Sequence, residues 1–180
     1  MDNSDIAAVV NLALRSRTAD RTVGVNISRG IRPQSEKDAY PHVLPALNLD
    51  RVSRPRQING IVRGAALAAF HTRVPNGEMR FGHALAQFAK RGPSSRSTVE
   101  SIGKKLQLLP ELQLENAVQV IDGLLSRISG SGVEVNFINL TERLAYWQTT
   151  HPLTDIEWRQ SIVFDFYAPS STKPRAAATE

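Results

Sequence analysis

Ile58-Asn59-Gly60-Ile61-Val62-Arg63-Gly64-Ala65-Ala66-Leu67-Ala68-Ala69-Phe70 is the stretch on which the fold class turns. Ile58, Ile61, Val62, Ala65, Ala68 and Ala69 recur at intervals of three and four residues, the period of one helix face. The small residues from Gly64 to Ala69 would let that helix lie close against a neighbour. The spacing predicts a buried helix ending near Thr72, and with it a protein of helices packed on helices.

The same period extends outward in both directions. Upstream, Ser4 or Asn3 caps a stripe of Ile6, Val9, Val10, Ala13 and Leu14, a first helix running to about Arg17. Between 18 and 56, Gly24, Gly30, Pro33, Pro41, Pro45 and Pro55 interrupt any long helix, so a long, partly ordered connection is expected, with one short turn around Tyr40, Val43, Leu44 and Leu47. Downstream, Pro75-Asn76-Gly77 makes a turn, and Phe81, Leu85 and Phe88 mark a helix stopped by Gly92-Pro93. Val99, Ile102, Leu106 and Leu109 form the next stripe, behind capping candidates Ser94, Ser95, Ser97 and Thr98. Leu114, Val118, Ile121, Leu125 and Ile128 follow, then a Ser-Gly-Ser-Gly turn, then Phe137, Leu140, Leu144 and Trp147. Thr154 to Glu157 reads as a capping box before a last helix carrying Trp158, Ile162 and Phe166 inward. The alternation in Gly132–Phe137 is too short for a sheet. The expected fold is therefore all-α, a compact bundle of six or seven helices in one body or two helical subdomains, and 169–180, lacking large apolar side chains, is expected to be a disordered tail.

Charge divides the chain. The 180 residues carry a net +5, but residues 1–110 hold 17 Lys and Arg against 8 Asp and Glu, whereas 111–180 hold 5 against 9. The expected organisation is a basic helical part, 1–110, and an acidic helical part, 111–168. Within 51–105 there are 11 basic residues and only Glu78 and Glu100 as acids. A footprint of this kind suits a polyanionic partner, because Lys and Arg on phosphates supply sequence-independent affinity.

Several function classes find no support. There is no cysteine, which removes disulfides, thiolate nucleophiles and zinc–cysteine sites. His42, His71, His83 and His151 include no pair at the four-residue spacing that sets two imidazoles over one metal, so no metal site is expected. No phosphate-binding Gly-rich loop or dinucleotide fingerprint occurs, so no nucleotide cofactor is expected. His83 has no Ser or Asp at a recognisable spacing, and the chain does not read as an enzyme. No apolar run is long enough to span a membrane, and the acidic start MDNSD lacks the basic character of a leader, so the expected location is cytoplasmic. The hydroxyl-rich run Ser94-Ser95-Arg96-Ser97-Thr98, just after Lys90 and Arg91, suits either ordinary capping or a phosphate at a helix N-terminus. Tyr146, Trp147, Trp158, Phe164, Phe166 and Tyr167 lie at helical spacing in the acidic part and read as core.

Ser28, Arg29, Arg32, Pro33, Glu36, Asp38, Tyr40 and Pro41, then the helix Ile58–Phe70, then Phe81-Gly82-His83-Ala84-Leu85-Ala86, and finally Trp147, Trp158-Arg159 and Asp165-Phe166-Tyr167 stand in an order and at spacings that resemble the CasB family over about residues 21–168. That family is the small subunit of the type I-E CRISPR complex called Cascade. The resemblance implies an all-helical, non-catalytic subunit, present as a head-to-tail pair and contacting other Cascade subunits. Its implied task is to hold the displaced non-target strand and to support the hybrid of crRNA and DNA when the R-loop forms. The backbone contacts expected on this basis are Arg29, Arg32, Arg54, Arg56, Arg63, Lys90, Arg91, Arg96, Lys104 and Lys105. The competing expectation is a helical protein–protein scaffold or adaptor whose basic face meets an acidic protein and never touches nucleic acid.

Overall fold

The computed structural model describes residues 3–47, 55–91, 95–148 and 155–168. Its helices are α1 (Asn3–Ala19), α2 (Arg21–Ser28), α3 (Tyr40–Val43), α4 (Pro55–Phe70), α5 (Phe81–Lys90), α6 (Ser95–Leu108), α7 (Leu114–Ile128), α8 (Phe137–Ala145) and α9 (Asp155–Tyr167), joined in places by short 3-10 turns. Among the described residues the β pairing is a single parallel bridge between Asn76 and Val135. The all-α expectation is met, and each helix that the apolar spacing predicted is present. No helix among the described residues is long and apolar enough to cross a membrane.

The first difference lies between 21 and 47, expected as a loosely ordered connection. Asp20 caps α2 by accepting a hydrogen bond from the Val23 amide at 3.1 Å, and three 3-10 turns at 29–31, 33–38 and 44–46 carry the chain on through α3. Each proline in this segment sits at the first or second position of its turn, where no amide hydrogen is needed. The prolines therefore shorten the helices without releasing the chain.

At the centre stands α4. Every residue from Gly60 to Ala69 is buried, including both faces of the helix. One face receives α1 and α2, and the other receives α8. The α8 contact depends on two glycines one turn apart, since a Cβ at Gly60 would overlap the Leu144 carbonyl and one at Gly64 would overlap Thr141. A second group forms where α5 packs on α9 and α6, and Gly82 makes room there for the Ile162 carbonyl and Asp165. Thus Phe81-Gly82-His83 and Asp165-Phe166-Tyr167, far apart in the chain, meet in space.

One continuous core runs from Ile6 through Leu67, Leu85, Ile121 and Trp147 to Phe166. The helices following residue 110 do not pack apart from those before it: α8 sits on α4 and α1, and α9 on α5. The change of charge near 110 is therefore not a seam in the core. Two hydrogen-bonded clasps add to it, one backbone to backbone and one from side chains to backbone. The loop 71–80 is held to the segment after α7 by Gly77 donating to the Val135 carbonyl at 3.1 Å, Val135 to Pro75 at 2.9 Å and Asn136 to Met79 at 2.7 Å. Trp147 donates its indole hydrogen to Leu112 at 2.9 Å, and Arg159 donates to the carbonyls of Trp147 and Pro110 at 2.8 and 3.1 Å. The expected tail, 169–180, the Gly92-Pro93-Ser94 stop and the Thr154 cap lie outside the described residues.

Candidate nucleic-acid interface

Two surfaces gather exposed positive charge. The first follows α5, α6 and the end of α7. Lys90 closes α5 and Arg91 caps it, both exposed, in the place where the falling charge of a helix C-terminus favours cations. Arg96, Lys104 and Lys105 are exposed on α6. Arg96 and Lys104 are eight residues apart, roughly 12 Å along one side of the helix. Arg96 lies 3.7 Å from Glu100 with almost its whole side chain in solvent, a contact worth little at such exposure. The spacing alone did not single out Arg127 in the last turn of α7, which donates to the Ser101 hydroxyl of α6 at 3.0 Å and so stands beside the turn that carries Lys105. Arg91 donates to the Ser131 carbonyl at 3.3 Å. The turn at 129–132, which uses Gly130 at φ 77° and Gly132 at φ 72°, thus ends α7 between Arg127 and Arg91. The only sequence signal for Arg127 is its position one residue before the last apolar residue of the stripe.

The second surface lies where α2 meets the end of α4. Arg29 and Arg32 are exposed on the first 3-10 turns. Arg29 forms an ion pair with Asp38 at 3.2 Å, and its side chain is 55% exposed, so solvent screens the pair. Arg32, Ser28 and Phe70 line a shallow groove with Arg29, and a second groove on the other side of Phe70 is lined by Arg17, Arg21 and Val25. Arg17 is the exception among these cations: it donates to the carbonyls of Ala68 and Val74 at 2.7 and 3.1 Å and lies over the Phe137 ring, and burial pushes its guanidinium down to about 10. It serves as a brace between α1 and the end of α4.

Arg63 is the correction. Its place in the basic stretch marks it as a backbone contact, but the side chain is 1% exposed and donates to the Gly30 carbonyl and the Glu36 carboxylate inside the protein. Between Gly60 and Ala69 the helix is buried all round, so there is no wet face for it to use. Arg56 is exposed in the first turn of α4, and Arg54 lies outside the described residues.

The titratable groups near α9 are tied to one another. Asp165 accepts from Arg143 at 2.8 Å, with Arg80 at 3.6 Å and His83 at 4.0 Å. Burial pushes the Arg143 guanidinium down and the Asp165 charge opposes that shift. His83 is thus beyond hydrogen-bond distance of a carboxylate already engaged by an arginine. Among the described residues no group of three or more His, Asp or Glu is placed to hold a metal ion.

A family model described as CRISPR-associated protein Cse2 matches residues 16–167. No curated protein and no solved structure matches the chain.

Proposed function

From the chain's belonging to the CRISPR-associated Cse2 family, a family of Cascade subunits also called CasB, we propose that it acts without catalysis, gripping the phosphate backbone of the displaced non-target DNA strand and so stabilising the R-loop. It stands in the complex as a head-to-tail pair beside other Cascade subunits. The observation that carries the reading is the exposed basic edge of Lys90, Arg91, Arg96, Lys104 and Lys105, with Arg127 beside it. Arg29, Arg32 and Arg56 add exposed cations elsewhere. Strand exchange between the DNA duplex and the RNA hybrid is nearly balanced in base-pairing energy, so a few backbone contacts are enough to tip it. Such contacts read charge and leave sequence to the guide.

The test is a four-fold charge reversal, Lys90→Glu, Arg91→Glu, Lys104→Glu and Lys105→Glu, scored as R-loop lifetime in the reconstituted complex and as binding to single-stranded DNA across a salt series. The expected outcome is a shortened lifetime and a log–log salt slope flattened by about 3, since each single-strand contact contributes about 0.7. Unchanged lifetime and slope would remove this edge from the interface. A second reading, a helical scaffold that meets only protein, draws on the exposed Leu108 of α6 and Phe164 and Tyr167 of α9. It predicts that the reversal leaves DNA binding untouched while an alteration of those apolar residues releases the subunit from its neighbours.

A further inference from the structure

Phe70 ends α4 with its side chain in solvent: the residue is 53% exposed, on a helix whose preceding ten residues are all buried. One exposed apolar side chain alone needs no explanation. The surroundings of this one do. Phe70 lines both of the grooves at the junction of α2 and α4, with Arg21 in one and Arg29 and Arg32 in the other. On α2, Arg21 and Val25 follow at four-residue spacing on the exposed side, and Arg29 continues the row. Val25 is itself 45% exposed. An open aromatic ring therefore stands between cations on either side, with apolar surface next to it.

The ring is also braced. Its neighbour His71 is buried, and the His71 imidazole is fixed by an Nε2 contact to Asp122 Oδ1 at 2.8 Å. That imidazole and the Phe70 ring stand perpendicular, at 5.1 Å between centroids and 90° between planes. A perpendicular ring partner restricts the orientation of Phe70, which remains 53% exposed, so less side-chain freedom is lost when a planar group stacks on its open part.

We propose that Phe70 is a stacking platform for one base of a single-stranded nucleic acid whose backbone passes from Arg21 to Arg29 and Arg32. The inference rests on the phosphate-gripping reading above and adds to it which surface engages a base. A duplex keeps its bases stacked on one another, so a ring of this kind selects an unpaired strand. Every base presents a π-face, so the platform is indifferent to sequence, as a subunit serving any guide requires. Asp122 shares the groove with Arg29 and Arg32, and its carboxylate is engaged by the buried His71 imidazole.

The experiment compares the full chain with its Phe70→Ala and Phe70→Trp forms, each checked by circular dichroism, in anisotropy titrations against oligothymidylate and against an abasic deoxyribose phosphate strand of the same length. The wild type is expected to favour the base-bearing strand. Phe70→Ala should lose about tenfold on oligothymidylate, within the 1–3 kcal/mol per base of aromatic stacking, while its binding to the abasic strand and its salt slope stay as in the wild type. Phe70→Trp should restore the preference. Photocrosslinking to 5-bromodeoxyuridine in the same strand should map to residue 70. Equal affinity of wild type and Phe70→Ala for oligothymidylate, or an equal loss on both strands, overturns the platform and leaves the phosphate grip standing. Salt-insensitive or absent binding of the wild type to both strands overturns the two together. Loss of association with a Cascade protein, in place of the loss on oligothymidylate, assigns the surface to protein and overturns the platform as well.

Discussion

Arg63 and Glu36 show what one side chain can require of a core. A guanidinium at 1% exposure needs the interior to replace the hydrogen bonds to water that it has lost, and the Gly30 carbonyl and the Glu36 carboxylate, itself 7% exposed, do so. Removing one partner strands the other, so Glu36→Ala should cost about 3–5 kcal/mol in urea denaturation. The double change of Glu36→Leu with Arg63→Met should recover most of that loss, and no recovery would mean the pair does more than satisfy itself. Arg63 also shows where residue-level reading stopped: its place among basic residues is visible in the sequence, but its partner lies 27 positions upstream in a segment with no regular period. Tyr40 and Tyr146 give a second consequence at this scale. Burial first, then the Glu36 charge, pushes the Tyr40 hydroxyl up; burial first, then Glu142, does the same to Tyr146. The unfolded chain releases these protons at the ordinary tyrosine value while the folded chain still holds them, so stability should fall as pH rises above that value. Arg17, pushed down to about 10, works in the opposite sense over the same alkaline range. The tyrosine effect is therefore read as the difference in melting temperature between wild type and a Tyr40→Phe, Tyr146→Phe double variant, and it should grow with pH; a constant difference would contradict it.

At the scale of elements, the contact of α4 with α8 decides most. Gly60 and Gly64 let two helix backbones meet, and a methyl group at Gly60 would run into backbone that cannot swing aside. Gly60→Ala should therefore destabilise by about 3 kcal/mol, although alanine is the better helix former, and thermal melts of the two proteins test the sign directly. At Gly123, where nothing lies within 4 Å of an added Cβ, the same change should stabilise by up to about 1 kcal/mol. The helices α1 and α4 to α9 were legible because each shows an apolar stripe at helical spacing. The segment from α2 through α3 was not, because its pieces are too short for a period to repeat, and proline at the start of a turn reads the same as proline breaking one. Arg127 was passed over for a different reason: its value comes from Ser101 on another helix, 26 residues away.

Across the whole molecule, charge and packing follow different boundaries. Most of the basic candidates precede residue 110, but α8 and α9, from the acidic part, are built into the bundle against α4 and α5. With one core shared by all the long helices, unfolding should be a single transition: circular dichroism and tryptophan fluorescence, the latter reporting on Trp147 and Trp158, should give coincident curves. Two separated steps would show that the bundle is divided after all. The glycine-lined face of α4 has a further consequence, during synthesis. Gly60 leaves the ribosome 84 residues ahead of Leu144, an interval of roughly 4–17 seconds at common rates of translation. Throughout that time the most tightly fitted surface of the protein has no partner within its own chain, so the nascent N-terminal helices must wait, open, for a helix that has not yet been made.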